Sequence, residues 1–201
     1  MREITPENLD KLIDLVNAEN RRQIGIWGLQ DLPAYTWLTI LQEETGEIAQ
    51  AVLECGRRED RIHVVDESIQ AATLVLKIAK MYLEKDQLVR STKKDNGLIT
   101  DVLERFRGQE LKTEKDLSPF KLVALIMSDA GLLANRIVEI ERIAEKAGRG
   151  QGFEAYLDTE GSIDDVTEAA ASCLVSLFFL ADMYLTAIDD GFNALLTRTS
   201  Q

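Results

Sequence analysis

Three glutamates, Glu43, Glu44 and Glu47, lie within about one helical turn of one another in this 201-residue sequence. The apolar stripe that includes Trp37 and Leu41 reaches its next position at Glu44. A carboxylate buried at such a position costs free energy unless it is paired or holds a metal ion. The placement of Glu44 therefore favours a metal-binding role. The alternative is an acidic helix face in contact with solvent.

Matching oxygen-bearing side chains follow on the next predicted helix, where Glu67 and Gln70 are three residues apart and share a face. A turn at residues 56–60 would bring the two helices together antiparallel, so that Glu47 and Glu67 can face each other. Mg²⁺ prefers oxygen ligands and keeps positions for water and substrate phosphates. The spacing predicts that oxygens of these side chains form a site for a hard cation between the two helices, such as Mg²⁺, for which Mn²⁺ could substitute.

Long helices are needed to position these groups. Apolar residues recur at helical spacing along most of the chain, and no segment shows the sustained alternation typical of a β-strand. Thr5 and Pro6 are typical of a helix start, whereas Gly56 and Gly191 are placed to end helices. The pattern predicts an all-α fold, an antiparallel helical bundle. The predicted helices span about residues 6–22, 33–55, 60–85, 118–147 and 162–189, with a connector at 25–33.

The chain divides into three stretches that we expect to form one compact unit. Residues 1–86 carry the acidic site, residues 87–117 form a polar crossover with a short helix, and residues 118–201 form a second helical half. Gly46 and Gly131 are among several identities that recur between the halves. These identities predict two tandem helical-hairpin repeats, unless they reflect only the general likeness of amphipathic helices.

The second half is a degenerate repeat, because it keeps only part of the acidic site. Asp129 occupies the position that corresponds to Glu44, whereas Leu132 corresponds to Glu47. We interpret this half as structural, a built-in partner that replaces a second subunit. The chain would then be an intramolecular pseudo-dimer, and a homodimer is the alternative.

Composition and charge exclude several classes of function. The sequence has 35 acidic and 23 basic residues, a formal net charge of −12, which opposes nucleic-acid binding. An anionic substrate would have to arrive with a metal cation. Cys55, Cys173 and His63 are the only residues of their types, so they form neither a disulfide framework nor a Cys/His zinc site.

Two features indicate a cytoplasmic protein that does not bind membranes. The N-terminal residues lack the pattern of a signal peptide. The longest apolar run, residues 169–181, is too short to span a bilayer and long enough for a buried helix.

The acidic segments also resemble a known family. The run Glu43-Glu44-Thr45-Gly46-Glu47 resembles the Glu-Glu-x-x-Glu motif of the MazG-like, all-α nucleoside triphosphate pyrophosphohydrolases. Glu67-Ser68-Ile69-Gln70 lies where that superfamily carries Glu-x-x-Asp. The similarity covers about residues 18–85, which is under half of the chain.

The resemblance implies an activity and a role for each acid. Such enzymes hydrolyse a nucleoside or deoxynucleoside triphosphate to a monophosphate and pyrophosphate, often as a house-cleaning reaction. On this resemblance Glu44, Glu47 and Glu67 would bind Mg²⁺, and Glu43 would bind metal or orient the attacking water. The metal ion would neutralise phosphate charge and activate that water.

Gln70 departs from the family motif, which has aspartate at this position. A neutral amide is a weaker Mg²⁺ ligand than a carboxylate, so the alternative is a catalytically weak nucleotide-binding or regulatory protein on the same scaffold. A helical interaction module with no nucleotide role is a third hypothesis, but it leaves Glu44 on the apolar stripe unexplained.

Five further residues are candidates for binding a nucleotide substrate. Trp27 and Gln30 could form a nucleobase pocket by stacking and edge hydrogen bonds, and Arg21 could contact phosphates. Lys93 and Asn96 loosely resemble a polar segment that lies near the phosphates in the family. The alternative for Trp27 is a loop anchor, and the alternative for the others is a solvent-exposed surface.

Overall fold

Five helices make up most of the computed structural model, which describes residues 2–90, 112–113, 117–147 and 162–199. The helices are α1 (Pro6–Trp27), α2 (Ala34–Glu54), α3 (Arg58–Arg90), α4 (Pro119–Ala147) and α5 (Ser162–Thr199). Two-residue strands β1 (Arg2–Glu3) and β2 (Lys112–Thr113) pair antiparallel. The prediction of an all-α helical bundle is confirmed.

The helices pack as a four-helix arrangement with α1 against one side. α3 packs most extensively against α5, and the pairs α2–α3 and α4–α5 are also in contact. Contacts between α2 and α4 close the arrangement, whereas α1 lies against α3 and α5. The acidic segments of α2 and α3 therefore face each other beside α1. That the two halves are tandem repeats stays a prediction.

The first helix is longer than its sequence pattern predicts. Thr5 Oγ1 accepts a hydrogen bond from the Asn8 backbone N–H at 3.2 Å, which caps the start as predicted. The helix does not end near Arg22 but continues to Trp27, because one interior glycine costs only about 1 kcal/mol relative to alanine. Gly28 ends it with φ of 74°, and its N–H donates to the Ile24 carbonyl.

A capped turn joins α2 to α3, where the sequence predicts one. Asp60 Oδ2 accepts hydrogen bonds from the backbone N–H groups of Gly56 and Arg57, at 3.0 and 2.6 Å. These bonds satisfy donors that the start of a helix leaves free. The turn fixes the register in which α2 and α3 run antiparallel.

Two further predicted helix ends are wrong, those of α3 and α5. α3 continues past residue 85 to Arg90, so the predicted crossover begins later than residue 87. α5 continues through Gly191 to Thr199 instead of ending at Asp189. The glycine penalty of about 1 kcal/mol is too small to stop a helix that continues on both sides. The rest of the crossover, residues 91–111, and its predicted short helix lie outside the described residues.

The core is apolar and draws on every helix, with large, fully buried side chains that include Leu12, Leu41, Tyr82, Ile137 and Phe179. Within α5, the stretch Asp165–Ile188 is long and apolar enough to cross a membrane, but 61% of it is buried inside the bundle. The apolar stretch is thus longer than the predicted run of residues 169–181, which alone is too short to span a bilayer, and its burial agrees with the predicted buried helix.

Candidate metal centre and adjoining clefts

Three predicted carboxylates meet between α2 and α3. One ligand oxygen each from Glu44, Glu47 and Glu67 can be chosen so that all lie within 4.8 Å of one another. The antiparallel hairpin produces this convergence, because Glu44 and Glu47 lie one turn apart on α2 and Glu67 faces them from α3. Within the described parts of the chain, no other three His, Cys, Asp or Glu side chains form such a group.

The cluster places like charges in a poorly solvated position. Glu67 is buried, Glu44 is partly buried and Glu47 is exposed. The Glu44 Oε2 atom is inaccessible to solvent and has no hydrogen-bond partner. Buried polar atoms normally have partners, so an unpaired oxygen on a member of an acidic cluster indicates a position suited to a cation.

The ionisation of the cluster reflects this crowding. Burial, followed by the negative charges of Glu67 and Glu47, raises the pKa of Glu44 from 4.5 to about 8. Burial, followed by the charge of Glu47, also raises the pKa of Glu67 above its ordinary value. Without a cation, the cluster therefore retains a proton at neutral pH.

Two neighbours on α3 hold the Glu67 carboxylate. His63 Nε2 lies 2.9 Å from Glu67 Oε1, and Gln70 Nε2 donates to Glu67 Oε2 at 3.0 Å. The Gln70 amide nitrogen thus orients a predicted metal ligand. That the Gln70 carbonyl oxygen itself binds metal stays a prediction.

Glu43 is placed differently from the other acids of its motif. Its side chain is exposed, and it does not belong to the three-carboxylate cluster. Its negative charge nevertheless contributes to the raised pKa of Glu44. A position beside the cluster and open to solvent suits a group that accepts a proton from water, and this role stays a prediction.

A polar network that the sequence did not predict links α1 to α3. Arg22 donates to both carboxylate oxygens of Glu19, from Nε at 2.6 Å and from Nη2 at 2.7 Å. Gln23 Nε2 donates to Glu19 Oε1 at 2.7 Å, and Gln23 Oε1 accepts from Lys77 Nζ at 2.5 Å. The Lys77 ammonium also lies 5.2 Å from the centre of the Trp37 ring.

The charges in this network are set by burial and pairing. Burial opposes ionisation of Glu19, but hydrogen bonds from Arg22 and Gln23 outweigh it and hold the pKa of Glu19 below its usual value. Burial lowers the pKa of Lys77. The sequence signal for this network is Lys77 itself, a charged residue that interrupts the apolar run of residues 74–79.

Two clefts adjoin the cluster and the network. The first, of about 400 Å³, lies between α1 and α3 and is lined in part by Arg22, Asp66 and Gln70. The second, of about 180 Å³, is named here the lysine cleft; its lining includes Ile24, Gln30, Asp31, Trp37, Lys77 and Lys80. Gln70, which donates to Glu67, lines the first cleft, so open space adjoins the acidic cluster along α3.

The predicted substrate-binding residues do not all reach this region. Gln30 lines the lysine cleft. Trp27 is the last residue of α1 rather than part of the connector; it is 56% exposed, and Arg22 lies 6.0 Å from the centre of its ring. Arg21 is exposed. Lys93 and Asn96 lie outside the described residues.

In the second half of the chain, the residue that corresponds to Glu44 is Asp129, and its carboxylate is paired with a hydroxyl group. Asp129 Oδ2 accepts a hydrogen bond from Ser176 Oγ at 2.8 Å. A single carboxylate bonded to a hydroxyl group needs no cation. The placement of Asp129 accords with the interpretation that this half is structural.

Comparison with protein-family models, with curated proteins and with solved structures finds no match for this chain. The fold and the site define an all-α protein with one cluster of three carboxylates between two antiparallel helices. The MazG-like resemblance rests on the acidic motifs, and its functional content is a proposal.

Proposed function

We propose that this protein is a Mg²⁺-dependent nucleoside triphosphate pyrophosphohydrolase of the MazG-like type. The observation that carries the proposal is the convergence of Glu44, Glu47 and Glu67, whose ligand oxygens lie within 4.8 Å of one another, and Glu44 also has a buried oxygen without a hydrogen-bond partner. A chain with a net charge of −12 that recruits a phosphate ester needs a cation to offset the repulsion.

The donor set suits Mg²⁺, for which Mn²⁺ is the expected substitute. All three ligands are carboxylates, which hard cations prefer, and three of them leave coordination positions for water and phosphate oxygens. When bound, Mg²⁺ would neutralise phosphate charge and lower the pKa of a water molecule. Glu44, whose pKa is about 8, would give up its proton as the ion binds.

The reaction requires a group that accepts a proton beside the phosphates, and Glu43 is our candidate. A water molecule would transfer a proton to the Glu43 carboxylate while its oxygen forms a bond to the α-phosphorus. The bond from that phosphorus to the oxygen bridging to the β-phosphorus breaks, and pyrophosphate leaves with the electron pair. The products are a nucleoside monophosphate and pyrophosphate, so catalysis consists mainly of positioning and electrostatics.

A second candidate function is nucleotide binding with weak or no catalysis. Gln70 favours it, because a neutral amide is a weaker Mg²⁺ ligand than a carboxylate and its nitrogen, which cannot bind the ion, is the atom that faces Glu67. A regulatory protein of this kind would bind metal and nucleotide without releasing pyrophosphate.

The test is pyrophosphate release by the full chain from a panel of ribonucleoside, deoxyribonucleoside and modified triphosphates, with Mg²⁺ or Mn²⁺. Glu44→Gln is the test variant and Glu54→Gln, at the exposed end of the same helix, is the matched control. We expect release that needs metal and Glu44 and is unaffected by the control. Metal and nucleotide binding without release would select the second function, and unchanged metal binding by Glu44→Gln would refute the metal centre.

A further inference from the structure

One face of α3 connects the acidic cluster to the lysine cleft. His63, Gln70 and Lys77 follow each other at intervals of seven residues, which is about two helical turns or about 10 Å per interval. His63 and Gln70 contact Glu67, whereas Lys77 lines the lysine cleft. Along the α3 axis Lys77 therefore lies about 15 Å from Glu67 of the cluster and about 10 Å from Gln70.

Neighbouring helices flank this face and hold Lys77 in place. Gln23 of α1 accepts a hydrogen bond from the Lys77 ammonium, and Trp37 of α2 lies against the same group. The Gln23 amide cannot rotate freely, because its nitrogen donates to Glu19. A lysine ammonium carries three N–H donors, and Gln23 uses one of them. Lys77 is thus a fixed donor at the wall of the cleft.

The lining of the lysine cleft suits a nucleobase. Ile24, Leu29 and Trp37 give it an apolar surface, while Gln30 supplies an amide. Asp31 also lines the cleft, and its carboxylate offsets one of the two positive charges that Lys77 and Lys80 bring to the lining. Binding sites for small molecules typically combine such an apolar lining with a few polar groups that fix orientation.

We propose that the lysine cleft binds the base of the nucleotide and that Lys77 donates a hydrogen bond to a ring carbonyl oxygen. This inference rests on the proposed function, because it places the metal-bound phosphates at Glu44, Glu47 and Glu67. Along the α3 axis Lys77 lies about 15 Å from the ligand Glu67 and about 10 Å from Gln70, so a nucleotide with metal-bound phosphates would extend its base toward the cleft. The preferred substrates are then oxo bases, such as uracil and guanine, and adenine is disfavoured because it has no carbonyl group.

The experiment measures equilibrium binding of non-hydrolysable triphosphates of uridine, guanosine and adenosine to the full chain with Mn²⁺. We expect the wild-type protein to bind the uridine and guanosine compounds at least about tenfold more tightly than the adenosine compound. Lys77→Met should remove this preference and leave Mn²⁺ affinity unchanged, and Lys77→Arg should keep part of it. Lys11→Met, an exposed lysine paired with Glu7, is the control for the change in charge.

The outcomes separate this inference from the proposed function. If the wild-type protein releases pyrophosphate but binds all three nucleotides equally tightly, the inference is overturned and the proposed function stands. This outcome does not depend on any variant. If Lys77→Met weakens the binding of inorganic tripolyphosphate as much as it weakens the binding of nucleotides, the inference is also overturned, because Lys77 would then contact phosphate. A base preference without pyrophosphate release would support the inference and select nucleotide binding as the function. Failure of every nucleotide to bind beside a bound metal would reject both.

Discussion

Replacing Glu44 by glutamine should stabilise the metal-free protein at alkaline pH while abolishing its response to metal. In the unfolded chain the Glu44 pKa is close to 4.5, and in the fold it is about 8. The folded protein therefore holds a proton that the unfolded chain releases. The stability that this proton contributes is fully present below about pH 4.5 and is lost as the pH rises through about 8. Glutamine cannot ionise and avoids this loss.

The size of the effect follows from the pKa difference and the exposure of the site. Each pKa unit corresponds to about 1.36 kcal/mol, so the rise from 4.5 to about 8 sets an upper bound of about 5 kcal/mol. Glu44 is only partly buried, and solvent screening reduces the expected gain to about 1–2 kcal/mol. For a chain of this length that gain raises Tm by about 2–8 °C.

The assay is thermal unfolding in a chelating buffer at about pH 9 and about pH 5, followed by addition of Mg²⁺. Glu44→Gln should exceed the wild-type Tm at the higher pH only, and Mg²⁺ should raise the Tm of the wild type far more than that of the variant. Glu54→Gln should match the wild type throughout. An equal Tm gain at both pH values, or none at the higher pH, would refute the charge-repulsion reasoning.

Three other predictions follow from the same contacts. Mg²⁺ binding near neutral pH should release close to one proton, because Glu44 must ionise; calorimetry in buffers of different ionisation enthalpy measures this, and zero protons would contradict the raised pKa. Gln70→Asp should raise Mg²⁺ affinity about tenfold in a calorimetric titration, since it adds a carboxylate beside Glu67, and weaker binding would show that the amide hydrogen bond matters more. Asp129→Ala should cost about 1 kcal/mol in denaturant unfolding through loss of the Ser176 bond, and a change in metal affinity would disprove a purely structural role.

Most of the fold could be predicted because its information is local. Apolar spacing identified the five long helices, and Thr5 and Asp60 mark helix starts at which the structure shows capping hydrogen bonds. The ends of α3 and α5 were misplaced because a single polar stretch or glycine changes helix free energy by only about 1 kcal/mol, which packing readily overrides.

The candidate site was only partly predictable. Glu44 on an apolar stripe and Glu67 on the partner helix can be recognised from spacing, because two antiparallel helices around a short turn have few possible registers. The Glu19–Gln23–Lys77 network joins α1 to α3, and no pattern within one helix specifies which side chains meet across 54 residues of sequence.

The sequence by itself therefore determined the all-α class, the helical segments and the acidic residues that could bind a metal, since these depend on periodicity and on side-chain chemistry. Tertiary structure decided the rest. It left Glu44 Oε2 buried without a partner and placed Lys77 rather than Trp27 beside the cleft that contains Gln30. Each of these outcomes depends on distances between separate helices, which only their packing fixes.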